Sequence, residues 1–245
     1  MNNISIVIIT FNAETTLAKV LSQAKKLSED IVIVDSGSTD RTIKICKSNE
    51  VKFIHQEWLG FGLQKNLGNN IAKNNWILSI DADEVICNSL IEELMDLDLN
   101  PDKVYDIPFT NIYCGKEIKF GRWRNESHVR LFNKTKVQWN ENKVHESLLY
   151  DKNEVVKLKG KILHYSMNSK AEHLAKAKKY AKLGAQRLHA EGKKATFVKL
   201  YINPVFRFVK DYFFTLGILD GKLGFQIALI IAKETYWKYS ALRDL

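Results

Sequence analysis

Ile4-Ser5-Ile6-Val7-Ile8-Ile9 is a near-continuous β-branched run, and it limits the possible folds more than any other stretch of this 245-residue chain. Such a run suits a strand buried on both faces, as in a parallel sheet covered by helices on each side. The pattern after it repeats the theme. Thr15–Leu27 puts Leu17, Val20, Leu21, Ala24 and Leu27 on one helical stripe. Ile31–Val34 reads as a second buried strand, Thr39–Lys47 as a short helix capped by Ser38 or Thr39, and Val51–His55 as a third strand. Gly62–Lys73 reads as helix and Trp76–Ile80 as a fourth strand, and Ser89-Leu90-Ile91-Glu92 has the form of a capping box opening the next helix. Strands alternating with helices imply right-handed crossovers and a parallel sheet.

After Pro101 the pattern changes. Tyr105–Thr110, Lys116–Phe120, Val129–Phe132, Lys136–Trp139, Val144–Leu149 and Val155–Leu158 are short strand patterns without long helices between them. They predict a mixed or antiparallel extension of the sheet. Ser169-Lys170-Ala171-Glu172 is a second capping-box pattern, with Leu174, Ala177, Ala181 and Leu188 near one face and Gly192 as the stop. The predicted organisation is 1–100, 101–166 and a helical segment 167–245. The tail mixes aromatic, basic and apolar residues. Its longest apolar stretch, Phe225–Ala232, contains Gln226 and ends at Lys233. A spanning helix needs about 20 apolar residues, so amphipathic helices lying in a membrane interface are expected instead.

Composition excludes several classes. With 45% hydrophobic residues, 27% charged residues and 3 prolines, the chain is neither collagenous nor disordered. Cys46, Cys87 and Cys114 are widely spaced and suit small core residues in a reducing compartment. The N-terminal apolar run reads as a strand and not as a signal peptide. The net charge of +9 is uneven: Lys157–Leu245 holds 18 Lys and Arg against 6 Asp and Glu, leaving 19 against 22 before it. A lysine-rich solvated surface, an anionic membrane and a nucleic acid are the three readings of such a segment. The last lacks any accompanying recognition motif, so no nucleic-acid partner is expected.

In an open parallel sheet, ligands bind beyond the carboxyl ends of the strands. Three polar clusters stand there: Thr10-Phe11-Asn12, Asp35-Ser36-Gly37-Ser38-Thr39-Asp40 and Asp81-Ala82-Asp83-Glu84. Asp81 and Asp83 resist ionising together unless a cation neutralises them. Oxygen ligands of this kind suit Mg²⁺ or Mn²⁺ bridging to phosphates. A polar turn leading into a helix is the alternative for this cluster, and a turn with a helix cap is the alternative for Asp35–Asp40. Neither a G-x-G-x-x-G fingerprint nor a phosphate-binding P-loop occurs, which disfavours NAD chemistry and P-loop ATPase activity.

In that order and spacing, the three clusters with their strands resemble the family 2 glycosyltransferases. The resemblance implies a GT-A fold: a Rossmann-like αβα sandwich that binds a nucleotide-sugar, with an acceptor-binding second half. It also implies transfer with inversion at the anomeric carbon. By resemblance Thr10, Phe11 and Asn12 line the base pocket, Asp35 meets the nucleoside, Asp81 the ribose or sugar, and Asp83 the metal. Many members carry an acid where this chain has Ser36, and that acid contacts uracil.

Arg130-Leu131-Phe132, Val144-His145-Glu146-Ser147-Leu148, Ile162-Leu163-His164-Tyr165-Ser166 and Leu219-Asp220-Gly221-Lys222-Leu223-Gly224-Phe225 look like the subgroup of lipopolysaccharide-core β-1,4-glucosyltransferases. This implies UDP-glucose as donor and a lipid-linked acceptor such as a core heptose. Such an acceptor places the protein in the cytoplasm, peripheral on the inner face of the cytoplasmic membrane. Glu146 is then the candidate base for the acceptor hydroxyl and His164 a second metal ligand. Lys65, Arg124 and Arg130 are candidates to offset diphosphate charge, and His145 stands beside the base. A non-catalytic nucleotide-sugar-binding module and a basic nucleic-acid-binding protein are the competing classes.

Overall fold

The computed structural model describes residues 3–124, 126–140 and 147–245. The chain divides into two units, Met1–Phe109 with Asn125–Tyr165, and Thr110–Arg124 with Ser166–Leu245. The first division falls inside the segment expected to form the acceptor half, so the predicted 101–166 block is shared between the two units.

The first unit begins with β1 (Ile4–Thr10), every residue of which is buried. Then follow α1 (Leu17–Leu27), β2 (Ile31–Asp35), α2 (Thr42–Ser48), β3 (Lys52–His55) and α3 (Phe61–Ile71). Next come β4 (Trp76–Asp81), β5 (Glu84–Ile86), α4 (Asn88–Asp96) and β6 (Val104–Tyr113). β1 pairs in parallel with β2 and β4, and β2 with β3. The strand order β3-β2-β1-β4 reverses direction of travel between β1 and β4, which makes that edge the switch point where ligands bind.

Both faces of this sheet are covered, as the β-branched run demands. Side chains alternate along a strand. Ile4, Ile6 and Ile8 pack with Leu17, Leu21 and Leu90 on one side, while Val7 and Ile9 pack with Val34, Ile77 and Trp139 on the other. α3 lies directly on β1 and β2 because Gly68 has no side chain: a Cβ there would stand 2.4 Å from Val7 Cγ1 and 3.1 Å from Val34 Cγ2.

The expected antiparallel extension is present. In chain order β7 (Lys116–Glu117), β8 (Ser127–Asn133), β9 (Val155–Lys157) and β10 (Ile162–Met167) follow β6. Within the first unit β8 runs antiparallel to β4 and to β6, and β5 pairs antiparallel with β10 through His164 opposite Glu84. Some expected boundaries move. α2 starts at Thr42, where the Asp40 carboxylate accepts from the Thr42 N–H, so neither Ser38 nor Thr39 caps it. Cys87 is the N-cap residue of α4, which places Ser89 inside the first turn. The Lys136 and Val137 N–H groups donate to the Asn133 carbonyl in a turn, and Trp139 bridges only to Leu148. Polar turn chemistry at Asn133-Lys134-Thr135 wins there over strand propensity.

The second unit contains the rest of β6, β7, α5 (Lys170–Ala190), α6 (Asn203–Val209) and α7 (Gly221–Arg243). Ser169 accepts from the Glu172 N–H at 3.1 Å and Glu172 returns to the Asn168 N–H at 2.8 Å, so the predicted box opens α5. π-helical turns at Val198–Ile202 and Lys210–Phe214 flank α6. The Leu219–Phe225 motif does structural work here. Asp220 accepts from the Lys119 and Phe120 N–H groups at 3.2 and 2.9 Å, which is why the expected strand ends at Glu117. A Cβ on Gly224 would stand 1.8 Å from the Gly217 carbonyl oxygen, so only glycine permits that approach.

Candidate active site

The register of the parallel strands sets Thr10 beside Asp35 and Ile9 beside Asp81, so the ends of β1, β2 and β4 share one edge. Thr10 is buried, and its Oγ1 has no partner among the described residues. Phe11 is 61% exposed at the same edge. Asn12 adopts a left-handed backbone, φ 49°. It ties the first and second clusters: its N–H donates to Ser38 Oγ and its Oδ1 accepts from the Thr39 N–H, both at 2.8 Å.

Asp35 is fully buried. Its Oδ2 accepts from the Gly37 and Ser38 N–H groups at 2.9 and 2.8 Å, and its Oδ1 accepts from the Ser38 hydroxyl. Its oxygens are thus spent on shaping the loop, and the expectation that Asp35 itself meets the nucleoside is corrected. A carboxylate buried this deeply is stable only with such donors. Ser36 is the residue the loop presents, and its Oγ accepts from Gln64 Nε2 at 3.1 Å. Gln64 is fully buried on α3 and also donates to the Gln56 carbonyl at 3.0 Å.

The third cluster is a charge network. Lys65 Nζ lies 3.3 Å from Asp81 Oδ1 and 4.5 Å from the centre of the Trp139 ring, with the side chain only 2% exposed. Arg130 reaches Asp81 Oδ2 at 3.4 Å, bonds Glu84 Oε1, and lies over Phe109. Glu84 Oε2 accepts from the Asp81 N–H at 3.0 Å. Burial acts to raise the Asp81 carboxyl, but Lys65 and Arg130 together outweigh it and hold it well below the usual carboxylate range. Burial pushes Glu84 up to about 7, with the Asp81 charge adding to it and Arg130 opposing. Two protein cations thus neutralise Asp81, where a metal ion was the expectation for the Asp81/Asp83 pair.

Asp83 faces away from this network. Its carboxylate is 3.6 Å from His164 Nε2, and both side chains are about a third exposed. Burial lowers the His164 pKa, but the Asp83 hydrogen bond and charge prevail and raise it. β5–β10 pairing places them together, since His164 sits opposite Glu84 and the Tyr165 N–H donates to the Asp83 carbonyl. Among the described residues no three His, Cys, Asp or Glu side chains gather into a metal cluster. One carboxylate and one imidazole nevertheless suit a divalent ion that completes its shell with phosphate oxygens and water. Glu146 and His145 lie outside the described residues. Arg124 belongs to the second unit, over the Phe120 ring.

Gln64, Trp139 and the buried role of Glu84 were not legible as site features. Gln64 reads as an ordinary polar residue of an amphipathic helix until its burial is known.

An open α/β sheet whose switch point gathers acids, amides and buried cations is the framework of an enzyme that handles a nucleotide. The family model described as Glycosyl transferase family 2 matches residues 5–182, and the chain belongs to that family. It is a glycosyltransferase of the GT-A fold. It is similar to the uncharacterized glycosyltransferase RT0209 of Rickettsia typhi, 29% identical over 100% of this chain and 88% of that protein. It is also similar to LpsC of Rhizobium meliloti, a lipopolysaccharide core biosynthesis glycosyltransferase, 27% identical over 97% of this chain and 93% of that one. Its fold is like that of S. aureus TarS residues 1–349 solved in complex with UDP, with a TM-score of 0.52 at 15% identity, covering 99% of this chain and 90% of that one.

Proposed function

We propose that this glycosyltransferase takes a UDP-sugar, UDP-glucose first, and transfers the sugar with inversion to a lipopolysaccharide-core or other lipid-linked glycan. The observation that carries the reading is the edge shared by Thr10, Ser36 and Asp81, with the buried Lys65 and Arg130 fixing Asp81 as a carboxylate. A carboxylate held ionised accepts hydrogen bonds from ribose or sugar hydroxyls and does not itself take their protons. Glu84 orients Arg130 from below. Phe11, exposed at the edge, offers a ring for stacking a base. The complex of S. aureus TarS with UDP-GlcNAc and the name of LpsC support a uridine donor and a core acceptor.

Asp83 and His164 would hold a Mg²⁺ or Mn²⁺ ion, which when bound supplies counter-charge for the departing diphosphate. Inversion requires a base for the acceptor hydroxyl, and Glu146 remains the candidate on sequence grounds.

Thermal shift with UDP, GDP, dTDP, CMP and their sugars, with and without Mn²⁺, tests this. Binding raises apparent stability by about 2.7 kcal/mol at 100 times the dissociation constant. UDP should raise the melting temperature and Mn²⁺ should enlarge the shift. Asp83→Ala should keep the fold and lose the Mn²⁺-dependent part. A panel in which no nucleotide moves the folded protein defeats the proposal.

A further inference from the structure

The stretch from Phe197 to Phe225 is apolar on two sides, and the second unit accounts for one of them. Leu200, Pro204, Gly217 and Gly224 face inward and are buried. Val198, Tyr201, Ile202, Val205 and Phe206 are 47–63% exposed. They recur at i, i+3, i+4, i+7 and i+8, the spacing by which a helix normally meets a core. Past the bend the exposed set continues through Phe213, Phe214, Leu216, Ile218 and Leu219, at 42–75%. A continuous apolar surface of this extent marks an interaction site.

Charge selects what covers it. Between Gly192 and Phe225 the sequence carries six Lys and Arg but only Asp211 and Asp220 as acids. Both acids are engaged: Asp211 is buried and paired with Arg207 at 2.8 Å, and Asp220 takes the Lys119 and Phe120 N–H groups. Lys194, Lys210 and Lys222 are exposed around the apolar face and make no salt bridge among the described residues. Apolar tips ringed by unpaired cations match the headgroup layer of an anionic leaflet, where rings and aliphatic ends enter and ammonium groups meet phosphates. No single described helix is long and apolar enough to cross a bilayer. Val198–Phe214 and Gly217–Arg243 pass that test only as a pair bent by 73°.

We propose that the outward face of residues 197–225 docks on an anionic lipid bilayer, lying in its headgroup region without spanning it. The proposal does not depend on the transfer reaction, so nucleotide binding measured on the same protein scores the two readings separately.

Co-sedimentation of the full chain with vesicles tests it. The protein should pellet with phosphatidylcholine vesicles containing phosphatidylglycerol, stay in solution with phosphatidylcholine alone, and be released by salt. Phe206→Ser with Phe214→Ser removes two exposed side chains that no packing requires, and should lower partitioning at least about tenfold. Lys194→Gln with Lys210→Gln should lower it about fivefold per charge. Unchanged circular dichroism and melting confirm that both double variants fold. Failure to pellet with anionic vesicles at low salt overturns the proposal, as does binding indifferent to both pairs. A concentration-dependent dimer abolished by the phenylalanine substitutions also overturns it, because a second copy would then cover the face.

Discussion

Arg130→Met is the most informative single change to the network under Asp81. Arg130 bonds Glu84, whose side chain is only 3% exposed and whose other partner is the Asp81 N–H at 3.0 Å. Removing the guanidinium leaves a buried carboxylate with one backbone hydrogen bond. Asp81 keeps Lys65 at 3.3 Å, so the loss concentrates on Glu84. Breaking one side of a buried pair costs about 3–5 kcal/mol. In a unit of this size each kcal/mol moves the melting temperature by about 2–4 °C, so a fall of roughly 6–20 °C is expected. Glu84→Gln in the same background removes the orphaned charge and keeps an acceptor for the Asp81 N–H. The double variant should therefore recover much of the loss, with a coupling energy of up to about 3 kcal/mol. Urea unfolding of wild type, both single variants and the double closes the cycle, and an unchanged denaturant slope shows that the unfolded state is not the source. A single variant that loses under about 1 kcal/mol, or a double variant equal to the sum of the singles, refutes the assignment of Arg130 as the counter-ion of a buried Glu84.

Three further outcomes are expected. Gly68→Ala drives a methyl group to 2.4 Å from Val7 Cγ1, and overpacking of this kind should cost about 1–3 kcal/mol in chemical denaturation. His173 is 4% exposed beside the Tyr113 hydroxyl, and burial, with Lys176 adding to it, pushes the imidazole down to about 4. The unfolded chain then binds the proton first, so stability is full above about pH 6.5 and falls by about 3 kcal/mol as pH drops toward 4. His173→Gln should flatten that slope, and an unchanged slope assigns it to other groups. Asp83→Ala should abolish the Mn²⁺-dependent part of the UDP thermal shift while the metal-free part stays, and equal loss of both would place Asp83 on the nucleotide itself.

Much of the site was legible because parallel-sheet topology is local. Each of the first strands ends in a polar cluster, and the rule that ligands gather at carboxyl ends puts Thr10, Asp35 and Asp81 on one edge before any coordinate is known. Roles were less legible than positions. Asp35 looked like a ligand for the nucleoside, but satisfying a buried carboxylate requires donors, and the nearest are its own loop's Gly37, Ser38 and the Ser38 hydroxyl. The Asp81/Asp83 pair looked like one metal site. The strand pleat sends the two side chains apart, Asp81 toward Lys65 and Arg130 and Asp83 toward His164. Lys65 and Arg130 were candidates for diphosphate charge, and their burial against Asp81 depends on α3 and β8 packing on opposite sides of β4's end.

The sequence by itself determined the alternation of buried strands and helices, the family, the edge that carries the chemistry and the basic, aromatic character of the tail. These follow from periodicity, turn chemistry and composition, which act over a few residues. Only the tertiary structure decided which charges neutralise one another, that Asp220 and Gly224 hold the second unit together, and which side of the Phe197–Phe225 stretch faces outward. Those outcomes depend on groups far apart in the chain, whose burial and pairing are fixed by packing and not by local preference.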